Sequence, residues 1–279
     1  MFNETYFNRI DTHEKAYILG LIYADGNLHK NVLQICLKDK ELIDAFKDQI
    51  ETTNKTIDDR GYFRISCTTK NLTAQLNTLR IEERKSLTLK FPTIEQVPVE
   101  FVNSFMLGYF DGDGSIQRFK HKGHDNPKWH FSIISTQEFC RDFLDILIQK
   151  CEIPMVKLVK SKHSPDKNVW EIKLCGVYSN VARKIYNYLY ADCKINLKRK
   201  RDVFLEILEN NPVSKKESHY KGVAKLSEVC YSARVSQRIN GVKINKYIGC
   251  FKTEREAAIA YNDAATKLFG DKACLNYVK

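Results

Sequence analysis

Two nine-residue stretches constrain this chain more than anything else in it. Residues 18–26 read I-L-G-L-I-Y-A-D-G, and residues 106–114 read M-L-G-Y-F-D-G-D-G. Each reads as a short apolar helix closing on Ala/Gly-Asp-Gly. A helix C-terminus carries partial negative charge, so an Asp there opposes the dipole. A terminating turn needs only the Gly, in the left-handed cap. A local cost that appears twice marks a site. Gly20 and Ala24 are four apart, as are Gly108 and Gly112, so each pair lies on one helix face. Small residues at that spacing let two backbones approach closely. If the two helices pack on each other, Asp25 and Asp113 come together at the same end. Two such carboxylates cannot both stay ionised uncompensated. A divalent cation compensates them, and carboxylate oxygens suit Mg²⁺. The alternative is a pair of core helices with ordinary Asp-Gly turns.

These nonamers resemble the LAGLIDADG motif of homing endonucleases. In the first copy Gly20, Leu21, Ile22, Ala24, Asp25 and Gly26 match and Tyr23 departs. In the second, Gly108, Phe110, Asp111, Gly112, Asp113 and Gly114 fit, and Leu107 stands where the family has Ala. The resemblance implies that Asp25 and Asp113, together with Ala24 and Gly112, hold the catalytic metals. It implies hydrolysis of one phosphodiester on each DNA strand, with Mg²⁺ or Mn²⁺, at a long asymmetric double-stranded site. It also implies a lysine in each half near the cleaved phosphate. Lys85, in R-K-S-L-T-L, and Lys198, in I-N-L-K-R-K-R, occupy that place, where a cation can stabilise developing negative charge. A solvated basic helix face is the alternative for both.

The organisation around the motifs repeats. Asp11 caps a helix start, with Glu14 three residues later. Residues 32–38 and 61–67 alternate as strands, and 39–50 and 69–79 read as helices. From Pro98 the order restarts: strands at 115–119, 129–135, 156–159 and 169–174, and helices at 137–150, 180–189 and 195–208. The reading is an α+β fold of two pseudo-symmetric αββαββα halves, residues 1–97 and 98–210, forming a saddle-like groove. Its polar strand faces, with Gln34, Lys38, Arg64, Gln117, Arg118 and Lys173, and the nearby Arg199, are the expected DNA contacts. A paired-strand surface fits the major groove.

Residues 211–218 form a polar, Pro-containing linker. Residues 219–279 then read as three strands and an Ala-rich helix, 253–269. This tail resembles the Apetala-type domain of ethylene-response factors, through Y-K-G-V, Y-I-G-C-F, E-A-A-I-A-Y-N-D-A-A and G-D-K-A-C-L-N-Y. The resemblance implies a three-stranded sheet laid in the major groove. Lys221, Arg234, Ser236, Asn245 and Tyr247 fall on its contact positions. Tyr247 replaces the usual Trp, and Ser236 and Asn245 replace Arg; Arg238 and Lys246 are the neighbouring charges that compensate.

Charge agrees with a polyanionic partner. Net charge is +11 and the pI about 9.1, which attracts phosphate over long range. Nine cysteines with no C-x-x-C pair suggest free thiols in a reducing, intracellular compartment. The longest apolar run, residues 16–24, is too short to span a bilayer, and residues 1–10 lack a signal core. His121, His124 and His130 read as surface loop histidines rather than a zinc site, since no cysteine accompanies them at ligand spacing. The expected protein is monomeric. Rival readings are a non-cleaving RNA maturase and a transcription regulator built on the tail.

Overall fold

The computed structural model describes residues 3–68, 70–83, 85–120, 126–161, 167–213, 218, 220–239 and 242–278. It is an α+β fold. The first half runs α1 (His13–Asp25), β1 (Gly26–His29), β2 (Val32–Leu37), α2 (Lys40–Gln49), β3 (Ile57–Asp59), β4 (Tyr62–Thr68) and α3 (Lys70–Thr78). The second runs α4 (Val102–Asp113), β5 (Ser115–Phe119), β6 (Lys128–Ser135), α5 (Gln137–Cys151), β7 (Val159–Lys160), β8 (Trp170–Gly176), α6 (Asn180–Leu189) and α7 (Lys198–Asn210). The antiparallel sheets have equivalent orders, β1-β2-β4-β3 and β5-β6-β8-β7. That equivalence is the pseudo-symmetry expected from the repeated motif.

The helix start at residue 12 departs from expectation. Thr12, not Asp11, is the N-cap, accepting a hydrogen bond from the Lys15 amide; Asp11 instead pairs with Lys15 at 2.8 Å. Strands β1 and β3 carry no sequence signal of their own, because four and three residues are too few to show a period.

Helices α1 and α4 lie at the centre. Residues Ala16 to Tyr23 of α1 are all buried, as are Asn103 to Asp111 of α4. A helix apolar all round belongs inside. One hydrophobic core runs from Tyr6 to Ile207 through both halves. A second, separate core lies in the tail, where β9 (Val223–Ser227), β10 (Cys230–Ile239) and β11 (Val242–Phe251) pack on α8 (Glu254–Phe269). The face of α8 toward that sheet is Ala257, Ala258, Tyr261 and Ala265. A full capping box, Thr253 with Glu256, starts this helix. Just past α7, Asn211 is buried and donates to the carbonyls of Pro127 and Val177 in the second half. Among the described residues no helix is long and apolar enough to cross a membrane.

Candidate active site at the paired helix ends

The glycines of the motif bring α1 and α4 into backbone contact. A Cβ on Gly20 would fall on the carbonyl oxygen of Phe105, and one on Gly108 on that of Tyr17. A Cβ on Gly112 would strike the Ala24 Cβ and lie 2.5 Å from Asp25 Oδ2. The terminal glycines differ from expectation. Gly26 (φ −71°) and Gly114 (φ −80°) are extended, not left-handed. They are small for lack of space: a Cβ on Gly26 would sit 2.5 Å from the Ile22 carbonyl oxygen, and one on Gly114 2.6 Å from that of Phe110. The chain therefore leaves each helix directly into a strand. Asp25 and Asp113 stand where the two sheets begin.

The carboxylates affect each other. Burial pushes Asp25 up to about 7, and the Asp113 charge adds to the shift; Lys85 and Lys200 oppose it. Asp25 Oδ2 is buried with no hydrogen-bond partner. Asp113 is also raised by the surrounding protein, with Lys85, Lys200 and a Tyr109 hydrogen bond opposing. Water does reach Asp113, which blunts that penalty relative to Asp25. A cavity of about 350 Å³ opens beside it, lined by Tyr23, Lys85, Tyr109, Ile134 and Ser135 among others. A larger cavity, about 1030 Å³, lies between the second half and the tail, away from the carboxylates.

One buried lysine serves each half. Lys85 Nζ donates to the Ala24 carbonyl at 3.1 Å. The matching cation in the second half is Lys200, not Lys198. Lys200 Nζ donates to the carbonyls of Phe110 (2.6 Å), Asp111 (2.8 Å), Gly112 (3.4 Å) and Gly114 (2.6 Å). Burial lowers it to about 8, partly offset by Asp111. Lys198 is exposed at the start of α7, its backbone N–H donating to Glu41. Four consecutive basic residues on a helix point in different directions, and the sequence alone does not say which turns inward.

The position before the Ala/Gly ties each motif to the segment leading to its lysine. In the first half the Tyr23 hydroxyl donates to the Leu79 carbonyl. In the second, Asp111 Oδ2 accepts from the Leu197 N–H at 2.7 Å and the Tyr17 hydroxyl at 2.7 Å. Burial pushes Asp111 up to about 7.

Of the expected DNA contacts, several share an open sheet face. Gln34 pairs with Ser66 and Cys36 with Arg64, opposite the buried Leu33, Ile35 and Ile65. Lys38 is exposed just past β2. In the second sheet, Gln117 with His130 and Lys173 with Ser132 form the equivalent face. Two residues do not join it. Arg118 pairs with the core residue Trp129 and turns to α7, donating to Asn211 at 2.9 Å and Glu206 at 2.8 Å. Arg199 is held by Asp39 through two hydrogen bonds, 2.8 and 2.7 Å, bridging the halves. In the tail, Arg234 and Tyr247 face each other across β10 and β11, the guanidinium 5.9 Å from the ring centroid. Ser236 and Asn245 hydrogen-bond on the same face. Lys246 pairs instead with the buried Val235, so it lies on the opposite face. Lys221 is exposed, its N–H held by Asn276. Arg238 lies on β10 opposite Lys243, and its side chain is outside the described residues. His121 and His124 are outside them too, and among those described no group of three or more His, Cys, Asp or Glu could hold a metal.

No family profile and no curated protein matches the sequence. Solved structures do. Meganuclease I-SmaMI bound to uncleavable DNA with a TTCT central four is 11% identical, with 69% of this chain and 88% of that chain covered and a TM-score of 0.48. The I-LtrWI LAGLIDADG homing endonuclease bound to target DNA is 11% identical, with 74% and 91% covered and a TM-score of 0.46. The LAGLIDADG meganuclease I-AabMI bound to uncleaved DNA is 13% identical, with 69% and 89% covered and a TM-score of 0.47. At these values the likeness is one of outline.

Proposed function

We propose that this chain is a site-specific double-stranded DNA endonuclease of the LAGLIDADG homing type. The observation that carries this reading is the pseudo-symmetric pair of carboxylates, each with a buried lysine, at the junction of two equivalent sheets. Two phosphodiesters on opposite strands need two such sets, related by an approximate dyad. Both sets come from one chain, so α1 and α4 complete the site without a second copy and the protein works as a monomer. Because the halves differ in sequence, the sheet faces read an asymmetric target.

The donor set suits Mg²⁺ or Mn²⁺. It offers hard carboxylate oxygens, one of them buried and unpartnered, in a place where two negative charges repel. Mg²⁺ takes one or two carboxylates with phosphate and keeps its waters, so a pair of aspartates is enough. When bound, the metal supplies activation of water and charge neutralisation at the scissile phosphate. Asp25 and Asp113 hold and orient it. Lys85 and Lys200 set positive charge beside each carboxylate, where negative charge develops on the phosphate oxygens. Their hydrogen bonds to the Ala24 and Gly112 carbonyls fix the ammonium groups before substrate arrives. Gln34, Arg64, Gln117 and Lys173 meet base edges and phosphates along the groove. The tail, with Arg234 and Tyr247 outward, adds DNA affinity in the manner of an Apetala-type domain. We assign residues 1–97 and 98–210 to the two halves and 219–279 to the tail, with 211–218 between.

The test is incubation of the purified chain with a randomised duplex library, with Mg²⁺ or with chelator, followed by sequencing of ends. Recurrent paired cuts that need the metal support the reading. Sequence-selective binding with no cut under any divalent metal favours the maturase or regulator alternatives and sinks it.

A further inference from the structure

The outward face of the tail sheet carries a pair of thiols that the reading above does not use. Cys230 opens β10 and Cys250 lies next to the end of β11. Cys250 pairs across the ladder with Ser232, two residues from Cys230, so the cysteines are diagonal neighbours on one face. The Tyr247 hydroxyl donates to Cys250 Sγ at 3.0 Å. The Cys230 thiol is the neighbour that acts most strongly on that sulfur after Tyr247. The Arg234 guanidinium, over the Tyr247 ring, adds positive charge nearby. A hydroxyl donor, a second thiol and a cation surround a single exposed sulfur.

These contacts set different reactivities. The Tyr247 hydrogen bond, then the Cys230 thiol, hold the Cys250 thiol below its ordinary range; the same neighbour relation pushes Cys230 up. Elsewhere burial pushes Cys140 and Cys151 up to about 12. The thiolate is the nucleophile, so Cys250 attacks first and Cys230 resolves.

We propose that Cys230 and Cys250 form a dithiol site that closes to an intramolecular disulfide by exchange with a small-molecule disulfide of the glutathione class. The Cys250 thiolate attacks one sulfur of that disulfide; its S–S bond breaks and one small thiolate leaves, giving a mixed disulfide on Cys250. Cys230 then gives up its proton and attacks Cys250 Sγ, and the second small thiolate departs. Two protein thiols are oxidised, the small disulfide is reduced to two thiols, and the departing thiolates take up the protons released. In a reducing compartment the site stays open and closes only as the poise shifts.

The experiment uses the full-length protein, reduced, desalted and titrated with oxidised glutathione. Free thiols are then alkylated and the protein read by intact mass and peptide mapping. A species carrying two fewer alkyl groups than the reduced protein, with a Cys230–Cys250 cross-linked peptide, is expected. It should form at least about tenfold faster than adducts on the exposed Cys36 and Cys175. Cys230→Ser should stop at a stable glutathione adduct on Cys250. Cys250→Ser should slow reaction at Cys230 at least about tenfold, and Tyr247→Phe should slow the adduct on Cys250. Adducts accumulating on Cys36 or Cys175 with no Cys230–Cys250 peptide would overturn the proposal. So would a Cys250→Ser protein whose Cys230 reacts at the wild-type rate.

Discussion

Replacing Gly108 with alanine puts the helix pairing itself under test. The new Cβ would overlap the Tyr17 carbonyl oxygen and stand 2.8 Å from its carbonyl carbon and 3.1 Å from the Leu21 nitrogen. These are backbone atoms inside a helix, so no rotamer change relieves the overlap. The axes of α1 and α4 have to part by roughly 1 Å to restore ordinary contact, a small step against interaxial distances of about 8–10 Å. That step loosens Tyr17, Leu21, Phe105 and Tyr109, none more than 2% exposed. Overpacking of this kind costs about 1–3 kcal/mol, and an unyielding backbone partner places it at about 3 kcal/mol. The intrinsic helix preference of Ala over Gly returns about 1 kcal/mol. A net loss of about 2 kcal/mol follows, a fall in Tm of roughly 5 °C for a chain of this size. Thermal melts and urea titrations followed by circular dichroism measure it. Gly61→Ala is the control: it has open space around it but φ of +83°, so its cost of about 1–2 kcal/mol stays in a surface turn. Gly108→Ala should also reduce DNA cleavage beyond its stability loss, because it moves Asp25 and Asp113 relative to each other. An unchanged or raised Tm would refute the close approach of the helices.

Asp25→Asn removes a carboxylate whose burial already disfavours its charge, so the variant should melt no lower than wild type while cleavage of at least one strand falls about a hundredfold or more; full double-strand cutting by Asp25→Asn or Asp113→Asn would rule the site out. Lys200→Met should leave the Asp111 and Gly114 carbonyls without the lysine donor, while the Phe110 carbonyl keeps the Gly114 N–H, lowering stability by about 2 kcal/mol or more and cleavage about a hundredfold, whereas Lys198→Met stays within about twofold in cleavage rate; equal effects from the two would contradict the assignment of the inward lysine. The Asp39–Arg199 bridge lowers the Asp39 pKa from 3.8, chiefly through the Arg199 hydrogen bond, so its stabilisation is present above 3.8 and is lost as pH falls below it. Asp39→Asn should therefore cost about 1 kcal/mol or less at neutral pH, with the gap closing in acid; denaturant midpoints at both pH values check this. Tyr23→Phe should cost about 1 kcal/mol through the bond to the Leu79 carbonyl, visible as a shift in midpoint without a change in slope.

The helix pairing was legible because its signal is steric and local. Glycine at Gly20 and Gly108 is required by a neighbour's backbone, and the four-residue spacing names the face that meets it. The repeated order of longer elements followed from periodicity, which needs five or more residues to show; β1 and β3 fell below that length. Side-chain direction was harder. Arg118 and Gln117 are adjacent, yet Ile116 and Arg118 point toward the core side and Gln117 to the open face, a parity that depends on where β5 starts. In the tail, Ala233 pairs with Gly249 but Arg234 with Tyr247, so Ile248 is an extra residue that resets parity within β11. It places Arg234 and Tyr247 together and sends Lys246 to the other side.

The basic run at residues 198–201 shows why charge is a weak guide to position and satisfiable polar groups a better one. A lysine inside a protein needs acceptors for its three N–H bonds. The open carbonyls at the end of α4 are such acceptors, since the last turn of a helix has no intrahelical donors left and its dipole end is negative. The same end in α1 receives Lys85. Each motif therefore places a carboxylate where the dipole opposes it and draws a lysine to the same helix terminus. The aspartates carry a cost that the two buried cations only partly offset, and the unpartnered Oδ2 of Asp25 is what remains. That residue of uncompensated charge is the physical reason to expect a divalent cation between the helix ends. Substituting Lys85 and Lys200 together should sharpen the effect: the double variant should bind Mn²⁺, the probe, no more weakly than wild type while cutting DNA far more slowly. Weaker metal binding in the double variant would place the lysines among the groups that hold the metal and refute their assignment to the phosphate.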